Sequence, residues 1–151
     1  MALENPTALF PMFISEQLEA TKRFYLDQLG FSAVFDMPGY LQVQYGDDGP
    51  QLSFMEPGSW PAADGEASPE LPTFGGAGVV VSVPTPSADD KYASVRRSGG
   101  DPLTKPGDKP WGWRSFFVKD PNGVVLDFFH VYKEAPTGDS DGASAASDAP
   151  S

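Results

Sequence analysis

The chain has 151 residues, 40% of them hydrophobic, a formal net charge of −11 and no cysteine. That length suits one domain or two small modules sharing a core. The composition excludes disulfides, thiolate metal sites and a cysteine nucleophile, offers no apolar run long enough for a membrane helix, and opposes a nucleic-acid partner, because phosphate binding wants a basic face.

The opening "MALENPTALF" has no basic region followed by an apolar stretch, so no secretory leader is expected and the expected location is cytoplasmic. "LFPMFI", residues 9–14, has strand character. "SEQLEATKRFYLDQLG", residues 15–30, reads as a helix, with Leu18, Thr21, Tyr25 and Leu29 at helical spacing. Ser15 is suited to cap its start and Gly30 to supply the left-handed residue that ends it. Three short strands follow: "FSAVFD", "YLQVQY" and "QLSFM". The last two are joined by "GDDG". Together these elements form a first module over residues 8–55. Residues 56–75 hold four prolines and two glycines in the stretch "EPGSWPAADGEASPELPTF", which forbids a helix or a central strand. They read as a linker.

The second module, residues 76–132, repeats the order. "GVVVSV" is a strand, and "SADDKYASVRRSGG" is a helix that starts with a capping-box-like Ser87 and Asp90 and stops at Gly99. "DPLTK", "RSFFVK" and "VVLDFFHVY" are strands, with "DPNG" as the turn that supplies positive φ. Aligning Gly49 with Gly123 sets Leu52 opposite Leu126, Ser53 opposite Asp127 and Phe54 opposite Phe128. The chain is therefore a tandem βαβββ repeat of α+β class. One helix covers one face of each sheet and leaves the other face for a partner or ligand. The tail 134–151 is rich in Ala, Ser, Gly, Asp and Pro and is expected to be disordered. Without its four acids the remainder still carries 17 acids against 10 bases. That acidity suits a cationic ligand as well as plain solubility.

"RFYLDQLGF", Arg23–Phe31, and "WGWRSFFVKDPNGVVLDFF", residues 111–129, resemble the helix-end and last-hairpin signatures of the vicinal-oxygen-chelate superfamily: glyoxalases, extradiol dioxygenases, and fosfomycin- and bleomycin-resistance proteins. The resemblance implies that the two modules pair their sheets into a U-shaped trough. In the enzymes of that family, His or Glu side chains from the first and last strand of each module hold a divalent metal there. In this chain those positions fall at Leu9 or Phe10, Ser53, Gly78 or Val79, and Asp127. Only Asp127 is a ligand, and a catalytic metal typically needs three. The sole histidine, His130, lies three residues beyond Asp127 on the same strand, so it points to the opposite face.

No metal, no other cofactor and no catalytic residue are therefore expected. The resemblance is closest to the metal-free bleomycin-resistance-like members, which implies a homodimer that sequesters an antibiotic-like cationic or aromatic compound. Strand parity puts Gln51, Ser53, Met55, Val125, Asp127 and Phe129 on the trough face. Tyr40, Trp60, Trp111 and Trp113 are candidates for stacking on a planar or cationic ligand. The expected ligand-binding residues are thus Tyr40, Gln51, Ser53, Met55, Trp60, Trp111, Trp113, Asp127 and Phe129. Leu52, Phe54, Leu126 and Phe128 are expected under the helices. Arg114 is expected either to tie the sheet to a neighbouring element or to touch substrate. Two other readings stay open: a metal-dependent glyoxalase-type lyase or dioxygenase with Gln51, Glu56 or Asp36 as substitute ligands, and a dimeric interaction module without a small ligand.

Overall fold

The computed structural model describes residues 8–134. All of the expected acidic tail beyond Glu134 lies outside the described residues. The chain divides into two compact units. One runs up to Ala77 and also takes in Asp120–Gly123; the other begins at Gly78 and holds the remainder.

The first unit contains β1 (Met12–Ile14), α1 (Leu18–Arg23), a π-helical turn over Phe24–Gln28, β2 (Ser32–Met37), β3 (Tyr40–Gln44) and β4 (Gln51–Met55). Its sheet has the order β1-β4-β3-β2, with β1 parallel to β4 and the other pairs antiparallel. The face of β4 expected under the helix is the face that the helix covers. Leu41, Val43, Leu52 and Phe54 are buried, and the Tyr25 ring from the helix packs 5.2 Å from Phe54, centroid to centroid. Thr21, Tyr25 and Leu29 are fully buried, as their helical spacing requires. Gly30 follows the helix with φ 77°.

The helix start differs from expectation. Helix α1 begins at Leu18 after Gln17, which caps nothing with its side chain. The Ser15 hydroxyl accepts instead from the Gln17 N–H at 3.0 Å and donates to Asn122 Oδ1 at 2.6 Å. Asn122 offers a second hydrogen-bonding group besides, its Nδ2 donating to Thr21 Oγ1 at 3.0 Å. Ser15 is therefore fixed by a partner 107 residues away rather than by its own helix.

The second unit contains β5 (Val80–Pro84), α2 (Ala88–Arg97), β6 (Gly107–Asp108), β7 (Trp113–Lys119) and β8 (Val125–Val131). The sheet order is β5-β8-β7-β6, the same plan as the first. Ser87 caps α2 by accepting from the Asp90 N–H at 3.1 Å, and Gly99 leaves it with φ 89°. Phe116 and Phe128 stack at 5.6 Å on the face that Tyr92 of α2 covers. The expected strand over "DPLTK" is absent. Pro102 has no N–H to give a ladder, and the segment holds to β7 through the Leu103 N–H on the Phe117 carbonyl and the Phe117 N–H on Thr104 Oγ1. The short strand comes later, at Gly107–Asp108.

Residues 56–79 form no helix or strand. The turn Asp120–Gly123 needs its glycine twice over. Gly123 has φ 98°, and a Cβ there would lie 2.5 Å from the Gly76 carbonyl oxygen, a conformation and an approach that only glycine accepts. Among the described residues no helix is long and apolar enough to cross a membrane.

Candidate functional site

The register of each sheet assigns the side chains to faces. In the second unit Ser82 pairs with Asp127 across β5 and β8, while Ser115 pairs with Phe129 and Trp113 with Val131 across β7 and β8. Ser82, Trp113, Ser115, Asp127 and Phe129 therefore share the face opposite Phe116 and Phe128. The Trp113 and Phe129 rings stack on that face at 3.7 Å with an interplanar angle of 11°, and Trp111 meets Trp113 edge-on at 6.4 Å.

Asp127 sits in this setting as a buried carboxylate. Its Oδ2 accepts from the Ser82 hydroxyl at 3.3 Å, and its Oδ1 is buried with no hydrogen-bond partner among the described residues. Burial pushes its pKa above the usual carboxylate value, while Ser115, Ser82 and the charge of Lys109 act against that shift. A buried oxygen without a donor is unfavourable by roughly 1–3 kcal/mol. A hydrogen-bond donor brought to that oxygen would remove the cost.

In the first unit Tyr40, Gln42, Gln44, Gln51, Ser53 and Met55 share one face, since Tyr40 pairs with Met55, Gln42 with Ser53 and Gln44 with Gln51. The Tyr40 hydroxyl donates to Gln42 Oε1 at 2.7 Å, and Gln42 Nε2 donates to Gln51 Oε1. Ser53 is fully buried, its hydroxyl donating to the Pro11 carbonyl at 3.1 Å. Met55 is buried, and Trp60 is 44% exposed on the segment that follows β4. Gln42, Ser82 and Ser115 are site neighbours that the sequence reading did not name. The parity that selected Ser53 and Asp127 selects them too, once extended to β3, β5 and β7.

Two further residues take structural places. His130 faces the helix: its Nδ1 accepts from the Ala88 N–H at 2.8 Å, at the start of α2. Arg114 forms a fork to Asp89, with contacts of 2.9 and 3.0 Å, and reaches Asp108 at 3.0 Å. This is the tie between sheet and neighbouring elements.

The enzymes of the resembling family hold a metal, and the side chains at the corresponding strand positions here can be compared with that requirement. Strand β1 begins at Met12, which pairs with Ser53, and the partner of Asp127 is Ser82. Leu9, Phe10, Gly78 and Val79, the positions expected from sequence, all precede the strands. Among the described residues no group of three or more His, Cys, Asp and Glu side chains is placed to hold a metal ion. Of the substitutes considered, Asp36 is paired with Lys22 at 2.6 Å and Gln51 gives its oxygen to Gln42. A thioether and a hydroxyl in the first unit, and a hydroxyl and one carboxylate in the second, do not fit a tightly held divalent cation.

The Glyoxalase/Bleomycin resistance protein/Dioxygenase superfamily model matches residues 9–128. Among solved structures, the chain is similar to a glyoxalase/bleomycin resistance protein/dioxygenase from Nocardioides, with 24% identity and TM-score 0.64 over 90% of this chain and 91% of that one. It is similar to lactoylglutathione lyase from Agrobacterium tumefaciens, with 19% identity and TM-score 0.63 over 83% and 95% of the two chains. It is also similar to a glyoxalase/bleomycin resistance protein from Streptomyces sp. CB03234, with 26% identity and TM-score 0.56 over 79% and 95%. No match is found among curated proteins. The matched span covers both βαβββ repeats, and the chain belongs to the Glyoxalase/Bleomycin resistance protein/Dioxygenase superfamily.

Proposed function

We propose that this protein is a metal-free binding protein of bleomycin-resistance type, which sequesters an antibiotic-like cationic or aromatic small molecule by stoichiometric binding. The observation that carries this reading is the buried, unpartnered Oδ1 of Asp127 on the same face as the stacked Trp113 and Phe129 rings. A ligand with a cationic or N–H donor would satisfy the oxygen, and a planar body would lie against the rings. A charge-assisted hydrogen bond contributes roughly 1.5–3 kcal/mol, and a cation over a tryptophan face about 0.5–2 kcal/mol. The net charge of −11 would draw a cation in from solution. The poor metal donor set favours binding over metal-assisted chemistry.

The reading includes a homodimer in the cytoplasm with no nucleic-acid or membrane partner. Support for self-association comes from edge strand β2, whose six residues are all exposed, Phe35 and Met37 among them. An unprotected apolar edge is a common place for strand addition.

The test combines metal analysis of the gently purified protein with a tryptophan-fluorescence titration against cationic glycopeptides and planar aromatic compounds. Binding without stoichiometric metal supports the proposal. Near-equimolar zinc, nickel, iron or manganese that disappears in Asp127→Ala overturns it in favour of a metalloenzyme.

A further inference from the structure

The glutamines of the first unit form a second feature, independent of Asp127 and the aromatic stack. Their hydrogen bonds run in one direction. The Tyr40 hydroxyl donates to Gln42 and the Gln42 amide donates to Gln51, so the Gln51 carbonyl is engaged while its NH₂ group is not. On the neighbouring strand the Gln44 amide donates to the Gly49 carbonyl at 3.2 Å, so its own Oε1 is left over. Among the described residues neither the Gln51 NH₂ nor the Gln44 Oε1 has a protein partner. Gln44 and Gln51 are direct partners across the antiparallel β3–β4 pair, which places their Cβ atoms about 5 Å apart on one face. A cleft of about 440 Å³ opens on both, lined also by Leu9, Phe10, Asp48 and Gly49.

We infer that this cleft reads the cis-amide edge of a cyclic compound. A donor and an acceptor side by side complement a carbonyl and an N–H side by side. An ordinary trans peptide directs those two groups to opposite sides. A ring that forces the amide cis, as in a lactam, a diketopiperazine or a pyrimidine, shows both on one edge. Gln51 donates to the ring carbonyl, Gln44 accepts from the ring N–H, and Leu9 and Phe10 supply apolar contact. Leu9 is 95% exposed, so its side chain is available for that contact. Tyr40 and Gln42 are positioning residues: their relay fixes which way the Gln51 amide faces.

The experiment follows the side-chain NH₂ signals of Gln44 and Gln51 by nitrogen–proton NMR in the full chain. The probes are the diketopiperazine of glycine, uracil, and the N,N′-dimethylated form of each, in which neither ring N–H remains. Dissociation constants near about 1 mM are expected for so few contacts. Methylation should weaken binding by at least about tenfold, because a site built around a hydrogen bond rejects an analogue that lacks it. Gln51→Glu, which turns the donor into an acceptor, should weaken it as much. Tyr40→Phe should broaden or move the Gln51 signals before any probe is added. His130→Ala, whose imidazole faces helix α2, should bind both probes as the wild type does. Whichever parent compound binds more tightly identifies the ring class. Equal binding of methylated and unmethylated probes, full affinity in Gln51→Glu, or no movement of the Gln51 signals with either parent compound would overturn the inference.

Discussion

The hydroxyl of Tyr25, on the π-helical turn, donates a hydrogen bond of 2.8 Å to Asp120, 95 residues further along the chain. Tyr25 is fully buried, and burial together with the Asp120 carboxylate holds its pKa well above the ordinary value of 10. The same carboxylate accepts the Asn122 N–H through Oδ1. One acid thus secures both the helix end and the tight turn.

Tyr25→Phe should therefore destabilise the protein by about 1.5–3 kcal/mol, the loss expected for a buried hydrogen bond to a charged group. Urea denaturation at neutral pH measures it. The pH dependence has a definite sign. An acid whose folded pKa is raised contributes stability that is lost as pH climbs above its unfolded value. Wild-type stability should thus fall above about pH 10, where the unfolded tyrosine ionises. The variant should fall less steeply over the same range.

Asp127→Asn should raise the stability of the ligand-free protein at neutral pH, by about 1 kcal/mol, because an ionised carboxylate is no longer held out of water. The folded pKa of Asp127 is raised, so its contribution is most favourable in acid and declines as pH rises through that pKa. The melting temperatures of the two proteins should accordingly converge at low pH and separate by several degrees near pH 7. A cationic ligand should bind the wild type more tightly as pH rises and should lose at least about tenfold in affinity to the variant. A neutral analogue should hardly distinguish the two.

Trp113→Ala removes one ring of a stacked pair 3.7 Å apart. It should weaken charged and neutral planar ligands alike and should lower stability by about 1–2 kcal/mol, since the ring is only partly buried. Trp113→Phe should recover most of both. Calorimetric titration beside thermal melting separates the two effects.

His130→Ala leaves the Ala88 N–H at the start of α2 without its acceptor. The expected loss is that of a helix cap, about 1 kcal/mol, with no change in ligand affinity. A change in affinity instead would place His130 in the binding site and contradict the face assignment.

Much of the fold could be read before any coordinates. Alternation in "QLSFM" and "VVLDFFHVY" put Leu52, Phe54, Leu126 and Phe128 in the core and turned His130 away from the Asp127 face, to the helix side or the sheet rim, because a strand has period two. The cap at Ser87 and the left-handed glycines at 30 and 99 follow from local sterics, which sequence carries directly. What could not be read depends on partners far away in the chain. Ser15 looks like a helix cap until Asn122 claims its hydroxyl. "DPLTK" looks like a strand until its hydrogen bonds are traced to Phe117, one of them through the Thr104 side chain. In the candidate site, parity groups Trp113 with Phe129. Only coordinates give the stacking distance, the bare Oδ1 of Asp127 and the direction of the Tyr40–Gln42–Gln51 relay, because side-chain torsions answer to the whole neighbourhood.

The allocation of Asp120–Gly123 bears on how such a chain can be divided. The proline-rich segment invites a cut, yet a fragment ending at Ala77 would lose four residues that both ends of its own helix rely on, with Tyr25, Ser15 and Thr21 each deprived of a partner. The remaining piece would carry a turn shaped for a surface it no longer has. The duplicated halves have ceased to be interchangeable copies. Dissecting, shuffling or permuting this molecule would have to carry the short turn along with the half that uses it, not with the half that encodes its neighbours.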